Sequence, residues 1–168
     1  MIAEDSTIRS ECTQLEAATL IGVGNAFRSD DGLGLLVARE MASMGLRGIQ
    51  IVEANGDGVS LMMTWQGMDR VLIVDAMKLG FPLGTIHRID ASNNEIPASF
   101  FTYSSHAFGV GQAIEMARQL HQLPRSVIVY GMEGGHFGFG TDLSRPMSEN
   151  LPVLIRMVMS ELNGWKES

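Results

Sequence analysis

Short apolar segments alternate with segments of helical periodicity along most of the chain. Three of the apolar segments are continuous and rich in Val, Ile and Leu, which is typical of strands buried on both faces of a sheet. Two others alternate apolar and polar positions. The predicted strands cover residues 18–24, 49–53, 71–75, 84–89 and 126–130. The predicted helices cover residues 31–44, 60–66, 106–120 and 146–162.

Strands that alternate with helices predict an α/β protein with a largely parallel sheet. We expect a three-layer α/β/α sandwich with a twisted, mostly parallel five-stranded sheet and one antiparallel edge strand, residues 84–89. Residues 17–168 are expected to form this single domain. Residues 1–16 carry four acidic residues against one Arg and little apolar periodicity, so we interpret them as a mobile N-terminal extension.

Composition narrows the possible partners. The 168 residues are 45% hydrophobic and 18% charged, as in a globular protein, and the formal net charge of −7 argues against a nucleic-acid partner. The chain has no apolar run long enough to suggest a membrane segment, and no signal peptide is recognisable at the N-terminus. The single cysteine, Cys12, indicates a reducing compartment, so we expect a cytoplasmic protein.

Polar side chains follow the predicted strands or open the loops beside them. Because ligands bind at the carboxyl ends of the strands in open parallel sheets, these side chains are expected to meet at one edge. They are Asn25, Asp30, Asp31, Glu53, Asn55, Asp57, Asp75, Ser104, Ser105, His106, Glu133 and His136.

Several of these residues also fit an ordinary structural role. Ser29, Asp30 and Asp31 are typical of a helix start, with a capping serine followed by acids that complement the helix dipole. Asp75 could cap the turn after its strand, and His106 could be an incidental surface residue. Both interpretations stay open for each.

Asp31, Asp75 and His106 together form a usable set of metal ligands from separate strand ends. If His106 lies in the first turn of its helix, the helix dipole favours the neutral imidazole, which is the form that binds metals. Three protein ligands leave coordination positions open for a reaction.

A dinucleotide-binding loop is the main rival interpretation. Gly22 and Gly24 follow a strand, and Glu53 ends the next one, where an acid could bind a ribose. However, Phe27 replaces the third glycine of that motif, and the two aspartates would face a pyrophosphate. The acidic pair favours a cation over a phosphate.

Four segments resemble motifs of the nickel–iron hydrogenase maturation endopeptidases, across roughly residues 20–162. "GVGNAFRSDDGLG" resembles the family's opening motif, and "LIVDAM" its apolar strand followed by Asp. "SSHAFGV" and "YGMEGGHFGFGTDLS" are similar to its later segments. The loop "EANGDG" departs from the D-G-G-T of many members, which bears on the choice of substrate.

The resemblance implies a peptidase that removes the C-terminal extension of a hydrogenase large-subunit precursor. It implies that Asp31, Asp75 and His106 recognise nickel, delivered bound to the substrate, although other divalent metals can occupy such a site. Either the metal or one of the carboxylates would then drive hydrolysis. Two alternatives stay open: a non-catalytic metal or nucleotide sensor, and a related peptidase or amidohydrolase with another substrate.

Overall fold

A computed structural model of the chain describes residues 18–96 and 108–166. The strands in this part are β1 (Ala18–Val23), β2 (Ile49–Ala54), β3 (Arg70–Met77), β4 (Ile86–Asp90) and β5 (Ser126–Glu133). The α-helices are α1 (Leu33–Ser43), α2 (Gly58–Trp65), α3 (Val110–Gln119) and α4 (Arg145–Lys166), and a 3₁₀ helix, Ser29–Gly32, precedes α1. The predicted extension, residues 1–16, lies outside the described residues, so the predicted domain boundary stays a prediction.

The five strands form one mixed sheet in the order β2-β1-β3-β5-β4. β1 pairs in parallel with β2 and β3, and β3 pairs in parallel with β5. β4 pairs antiparallel with β5 at the edge of the sheet. This topology confirms the predicted fold, including the antiparallel edge strand.

The sheet has a hydrophobic core on each face, because β3 sends successive side chains to opposite sides. Ile73 lies in one core cluster with Trp65 of α2 and Ile114 of α3. Its neighbour Val74 lies in the second cluster. The buried helix residues of that second cluster come from α1 and α4: Leu33, Val37, Met41, Met147, Leu154, Val158 and Leu162.

The first turn of α1 lies directly against the carboxyl ends of β1 and β3. A Cβ atom on Gly34 would lie 2.3 Å from the carbonyl oxygens of both Val23 and Val74, so only glycine allows this close approach. The 3₁₀ helix that leads into α1 is therefore held at the edge of the sheet where ligands are expected.

Most element boundaries differ from the predictions by one to four residues, and two of the differences bear on the candidate site. α1 begins at Leu33 rather than Asp31, because residues 29–32 form the tighter 3₁₀ helix. β5 continues to Glu133, three residues beyond the predicted end at Tyr130, because its ladder with β3 extends to the pair Met77 and Glu133. None of the helices in the described residues is both long enough and apolar enough to cross a membrane.

Candidate functional site

Asp31 and Asp75 lie at the carboxyl edge of the sheet, as the sequence predicts. Asp75 lies in β3, two residues before the strand ends at Met77. The preceding residue, Val74, pairs with Gly22 of β1. Asp31 belongs to the 3₁₀ helix after β1, which contacts β3. Asp75 is only 7% exposed, whereas Asp31 is half-buried. The two aspartates thus face the same edge from neighbouring strands.

The backbone of Asp31 is held by the turn that follows β1. The carbonyl oxygen of Asp31 accepts a hydrogen bond of 3.1 Å from the backbone N–H of Asn25. Gly24 permits this closure, since its φ is +146° and a Cβ atom there would lie 1.7 Å from the same carbonyl oxygen. Gly24 and the backbone N–H of Asn25 therefore position the backbone of Asp31.

The environment of Asp75 disfavours its charged form. Burial raises the pKa of the Asp75 carboxyl well above its ordinary value, and the negative charge of Asp31 raises it further. A hydrogen bond of 2.8 Å from the backbone N–H of Ala76 to Oδ1 acts in the opposite direction but does not outweigh them. The pair therefore favours binding either a proton or a cation between its carboxylates.

Asp30 has a different role from its neighbour: it lies in the 3₁₀ helix that precedes α1, as predicted for a helix start, but its side chain binds a distant loop. Its buried carboxylate accepts three backbone hydrogen bonds from the loop after β5: 2.8 Å from Gly135, 2.8 Å from His136 and 2.6 Å from Ser144. Burial alone would raise the pKa of Asp30, but these hydrogen bonds outweigh it and the pKa is lowered.

Ser29 is not a capping residue either. Its φ is +50°, and the caps of the 3₁₀ helix and of α1 have no side-chain hydrogen bond. The acidic side chain beside Ser29 does not cap the helix either, because the carboxylate of Asp30 accepts hydrogen bonds from three N–H groups of the loop after β5. A capping side chain would accept from only one or two N–H groups of its own helix.

The acids after β2 have local structural roles. Glu53 forms an exposed ion pair with Arg39, with 2.7 Å between Oε2 and the guanidinium. Asp57 is the N-cap of α2 and accepts a hydrogen bond of 3.2 Å from the backbone N–H of Val59. Asn55 accepts one of 3.0 Å from the N–H of Asp57. These residues therefore shape the loop after β2 rather than extend the pair of Asp31 and Asp75.

Glu133 and His136, the two candidates from the last strand and its loop, have different environments. Oε1 of the buried Glu133 accepts hydrogen bonds of 2.7 Å from the backbone N–H groups of both Leu79 and Gly80, so it holds the loop between β3 and β4. His136 has an exposed side chain on the loop that Asp30 anchors. The sequence signal for Glu133 is an acid that ends an otherwise apolar strand, which indicates a buried carboxylate but not its partner.

His106, with Ser104 and Ser105, lies outside the described residues. The prediction that α3 begins near His106 is wrong: α3 begins at Val110, after Gly109 as N-cap in an extended conformation. The N–H of Gly109 donates to the side chain of Gln112, which closes the helix start at that point. The helix-dipole argument for a neutral His106 therefore loses its basis, since His106 precedes the N-cap by three positions.

Within residues 18–96 and 108–166, no group of three or more His, Cys, Asp or Glu side chains is placed to hold a metal ion. The described part of the chain thus brings together two members of the predicted trio, Asp31 and Asp75. The contribution of His106 stays a prediction.

The sequence is similar to one family of known proteins. The sequence model of the hydrogenase maturation protease family (HycI) matches residues 36–161. The chain is 28% identical over 149 residues to a Methanocaldococcus jannaschii protein assigned to these proteases, which covers 85% of this chain and 94% of the relative. It is 26% identical over 149 residues to the hydrogenase 3 maturation protease of Escherichia coli K12, with 88% and 89% of the two chains covered.

The structural comparison supports the same fold. The hydrogenase maturating endopeptidase HybD of E. coli superposes with a TM-score of 0.74 at 19% identity, over 88% of this chain and 92% of that one. At this identity the superposition shows the common fold alone.

Proposed function

The chain belongs to the hydrogenase maturation protease family and is thus a peptidase, and on this premise we propose that it removes the C-terminal extension of a nickel-loaded nickel–iron hydrogenase large-subunit precursor. The observation that carries the proposal is the pair Asp31 and Asp75, which the fold holds side by side at the carboxyl edge of the sheet. The nickel ion belongs to the substrate.

The chemistry of the pair fits a cation carried by the substrate. Carboxylate oxygens are hard ligands, and an incoming cation would replace the repulsion between the two aspartates by attraction to both. We assign His106 as the third ligand. An incomplete set on the peptidase leaves positions for the substrate's own ligands, so that nickel is shared between the two proteins only while they are docked.

Cleavage is a hydrolysis in which water adds across one peptide bond and gives a new C-terminal carboxylate and a new amine. Nickel held next to the scissile carbonyl can polarise it or lower the pKa of a bound water. Alternatively, one of the aspartates accepts the proton of the attacking water as a general base. In both cases the acidic pair positions the reacting groups, and a precursor without nickel would not engage it.

The proposal is tested by incubating the protein with nickel-loaded and nickel-free forms of the large-subunit precursor from the same organism and measuring the precursor's intact mass. We expect the loaded form alone to lose the mass of its C-terminal extension. Cleavage of some other protein, with both forms of the precursor left intact, would instead support the alternative of a related peptidase with another substrate.

The assignment of His106 has its own test. His106→Ala should weaken the binding of nickel ions measured by calorimetry, while the free energy of unfolding changes by less than about 1 kcal/mol. Unchanged nickel affinity would remove His106 from the trio and leave the two aspartates.

A further inference from the structure

Two phenylalanine side chains are largely exposed, one on the segment after β1 and one on the loop after β5. Phe139 is 96% exposed and Phe27 is 71% exposed. Large apolar side chains normally gain free energy by burial, and exposed apolar patches on a folded chain often mark a site of interaction. We call Phe27 and Phe139 the phenylalanine platform.

The two loops that carry these side chains are joined by their backbones. The N–H of Gly140 donates to the carbonyl oxygen of Phe27 at 3.1 Å, and the N–H of Ser29 donates to the carbonyl oxygen of Gly140 at 2.9 Å. The guanidinium of Arg28 donates to the carbonyl oxygen of Phe137 at 3.2 Å. The platform therefore belongs to one connected unit and is not the end of a loose loop.

A buried charge anchors this unit. The three hydrogen bonds accepted by the carboxylate of Asp30 hold the loop after β5 on both sides of Phe139, at Gly135 and His136 and again at Ser144. Hydrogen bonds to an ionised carboxylate are stronger than neutral ones, so this anchor fixes the loop well. Exposure of Phe139 is thus maintained by the surrounding structure, which limits the entropy lost when a partner binds.

The position of the platform indicates what it binds. Phe27 precedes Asp31 by four residues on the segment that follows β1, and the next residue after the anchor Asp30 is Asp31 itself. The backbone around the platform is therefore continuous with the 3₁₀ helix that carries Asp31, whose N–H donates to the carbonyl oxygen of Arg28 at 3.2 Å. The net charge of −7 disfavours phosphate-rich partners, whereas the apolar rings suit aliphatic or aromatic side chains.

We propose that the phenylalanine platform binds apolar side chains of the precursor polypeptide next to the cleaved bond, and so determines where the substrate chain lies over Asp31 and Asp75. This inference rests on the proposed function. Phe27 and Phe139 are docking residues in it: they contact the substrate chain, and nickel and the acidic pair remain responsible for the reaction.

The test measures steady-state cleavage of the nickel-loaded precursor by Phe27→Ser, Phe139→Ser and the double variant. The double variant should raise KM by about tenfold or more, as loss of a binding hot spot does, with kcat within about twofold. Phe27→Leu and Phe139→Leu keep apolar surface and should retain most of the affinity. Leu120→Ser at the end of α3, 54% exposed, is the matched control and should leave KM unchanged.

Binding is measured separately from cleavage, with the precursor immobilised and the phenylalanine variants combined with Asp75→Asn. Weaker binding of the double variant supports the platform, and equal binding overturns it. Should a serine variant unfold, Phe27→Ala and Phe139→Ala give the same comparison. If the unmodified protein neither binds nor cleaves the precursor, the proposed function fails together with this inference, whereas normal cleavage by all variants contradicts the platform alone.

A second copy of the chain is the other possible occupant. Sedimentation of the unmodified protein and of the double variant distinguishes it: a dimer that the double variant converts to monomer would overturn the proposal. We expect the two proteins to sediment identically.

Discussion

The carboxylate of Asp30 accepts a 2.6 Å hydrogen bond from the backbone N–H of Ser144, which lies 114 residues further along the chain. Together with the bonds from Gly135 and His136, this contact ties the loop after β5 to the 3₁₀ helix that carries Asp31. One aspartate of the adjacent pair, Asp30, therefore holds the edge of the site together, and the other, Asp31, adds its negative charge to the environment of Asp75.

Replacing Asp30 should destabilise the protein. Asp30→Asn removes the charge and turns an N–H₂ group towards at least one of three backbone donors, so we expect a loss of about 2–4 kcal/mol in the free energy of unfolding. Urea denaturation followed by circular dichroism measures it. Glu40→Gln, an exposed change on α1, is the control and should stay within about 0.5 kcal/mol. If Asp30→Asn changed the free energy of unfolding as little as Glu40→Gln, the carboxylate of Asp30 would not anchor the loop after β5.

The contribution of Asp30 should vanish in acid. Its pKa is lowered from the ordinary 3.8 in the folded state, so the unfolded chain binds the proton first as the pH falls. The stabilisation is present above about pH 5 and is lost as the pH drops through the folded pKa. Urea unfolding across this range should show the gap between the unmodified protein and Asp30→Asn closing below pH 3.8. A gap that is constant with pH would show that the charge is not responsible.

Asp75 should have the opposite pH dependence. Its pKa is raised by burial and by Asp31, so the folded state keeps the proton longer than the unfolded chain, and stability falls as the pH rises above 3.8. Asp75→Asn mimics the neutral form, and its carbonyl oxygen can still accept from the N–H of Ala76. We expect it to be more stable than the unmodified protein by about 1–2 kcal/mol at neutral pH, with little difference in acid, and inactive. Thermal unfolding at several pH values measures this, and a less stable variant at neutral pH would contradict it.

Gly24 should be irreplaceable for a reason beyond its φ. Gly24→Ala brings a Cβ atom against the carbonyl oxygen of Asp31, whereas Gly45→Ala, at φ +64° with nothing within 4 Å, carries only the backbone strain. Gly45→Ala should cost about 1–2 kcal/mol and keep activity. Gly24→Ala should cost more, and its surviving folded fraction should cleave the precursor poorly because Asp31 is displaced. Equal effects in both stability and cleavage would show that only the positive φ matters.

The strand and helix pattern predicted most of the fold because buried strands and amphipathic helices leave periodic signals in the sequence. The sheet, the antiparallel edge strand and the position of Asp75 near the carboxyl end of its strand all follow from it, although β3 continues to Met77. The start of α1 at Leu33 does not, because it depends on Asp30 meeting N–H groups more than a hundred residues away. The spacing of residues within one segment does not predict a contact between segments so far apart in the sequence.

The candidate site was predictable only as a set of polar strand ends. Asp31 and Asp57 follow strands and Asp75 lies near the end of β3, but Asp57 caps α2 by accepting from the N–H of Val59, and only coordinates show that difference. Glu133 likewise has its partners at Leu79 and Gly80, in a loop of no strong periodicity. A sequence shows which side chains reach the edge, whereas packing decides which of them have structural partners.

The dependence of cleavage on nickel and on Asp75 is measured by following one precursor sample through loss and return of its metal. Nickel is removed from the loaded precursor with a chelator and then restored, and intact mass is measured after incubation with the unmodified protein, Asp75→Asn and the control Glu40→Gln. We expect the C-terminal extension to be released only when nickel is present, and only by the unmodified protein and the control. Release from the nickel-free precursor, or equal release by Asp75→Asn, would contradict it.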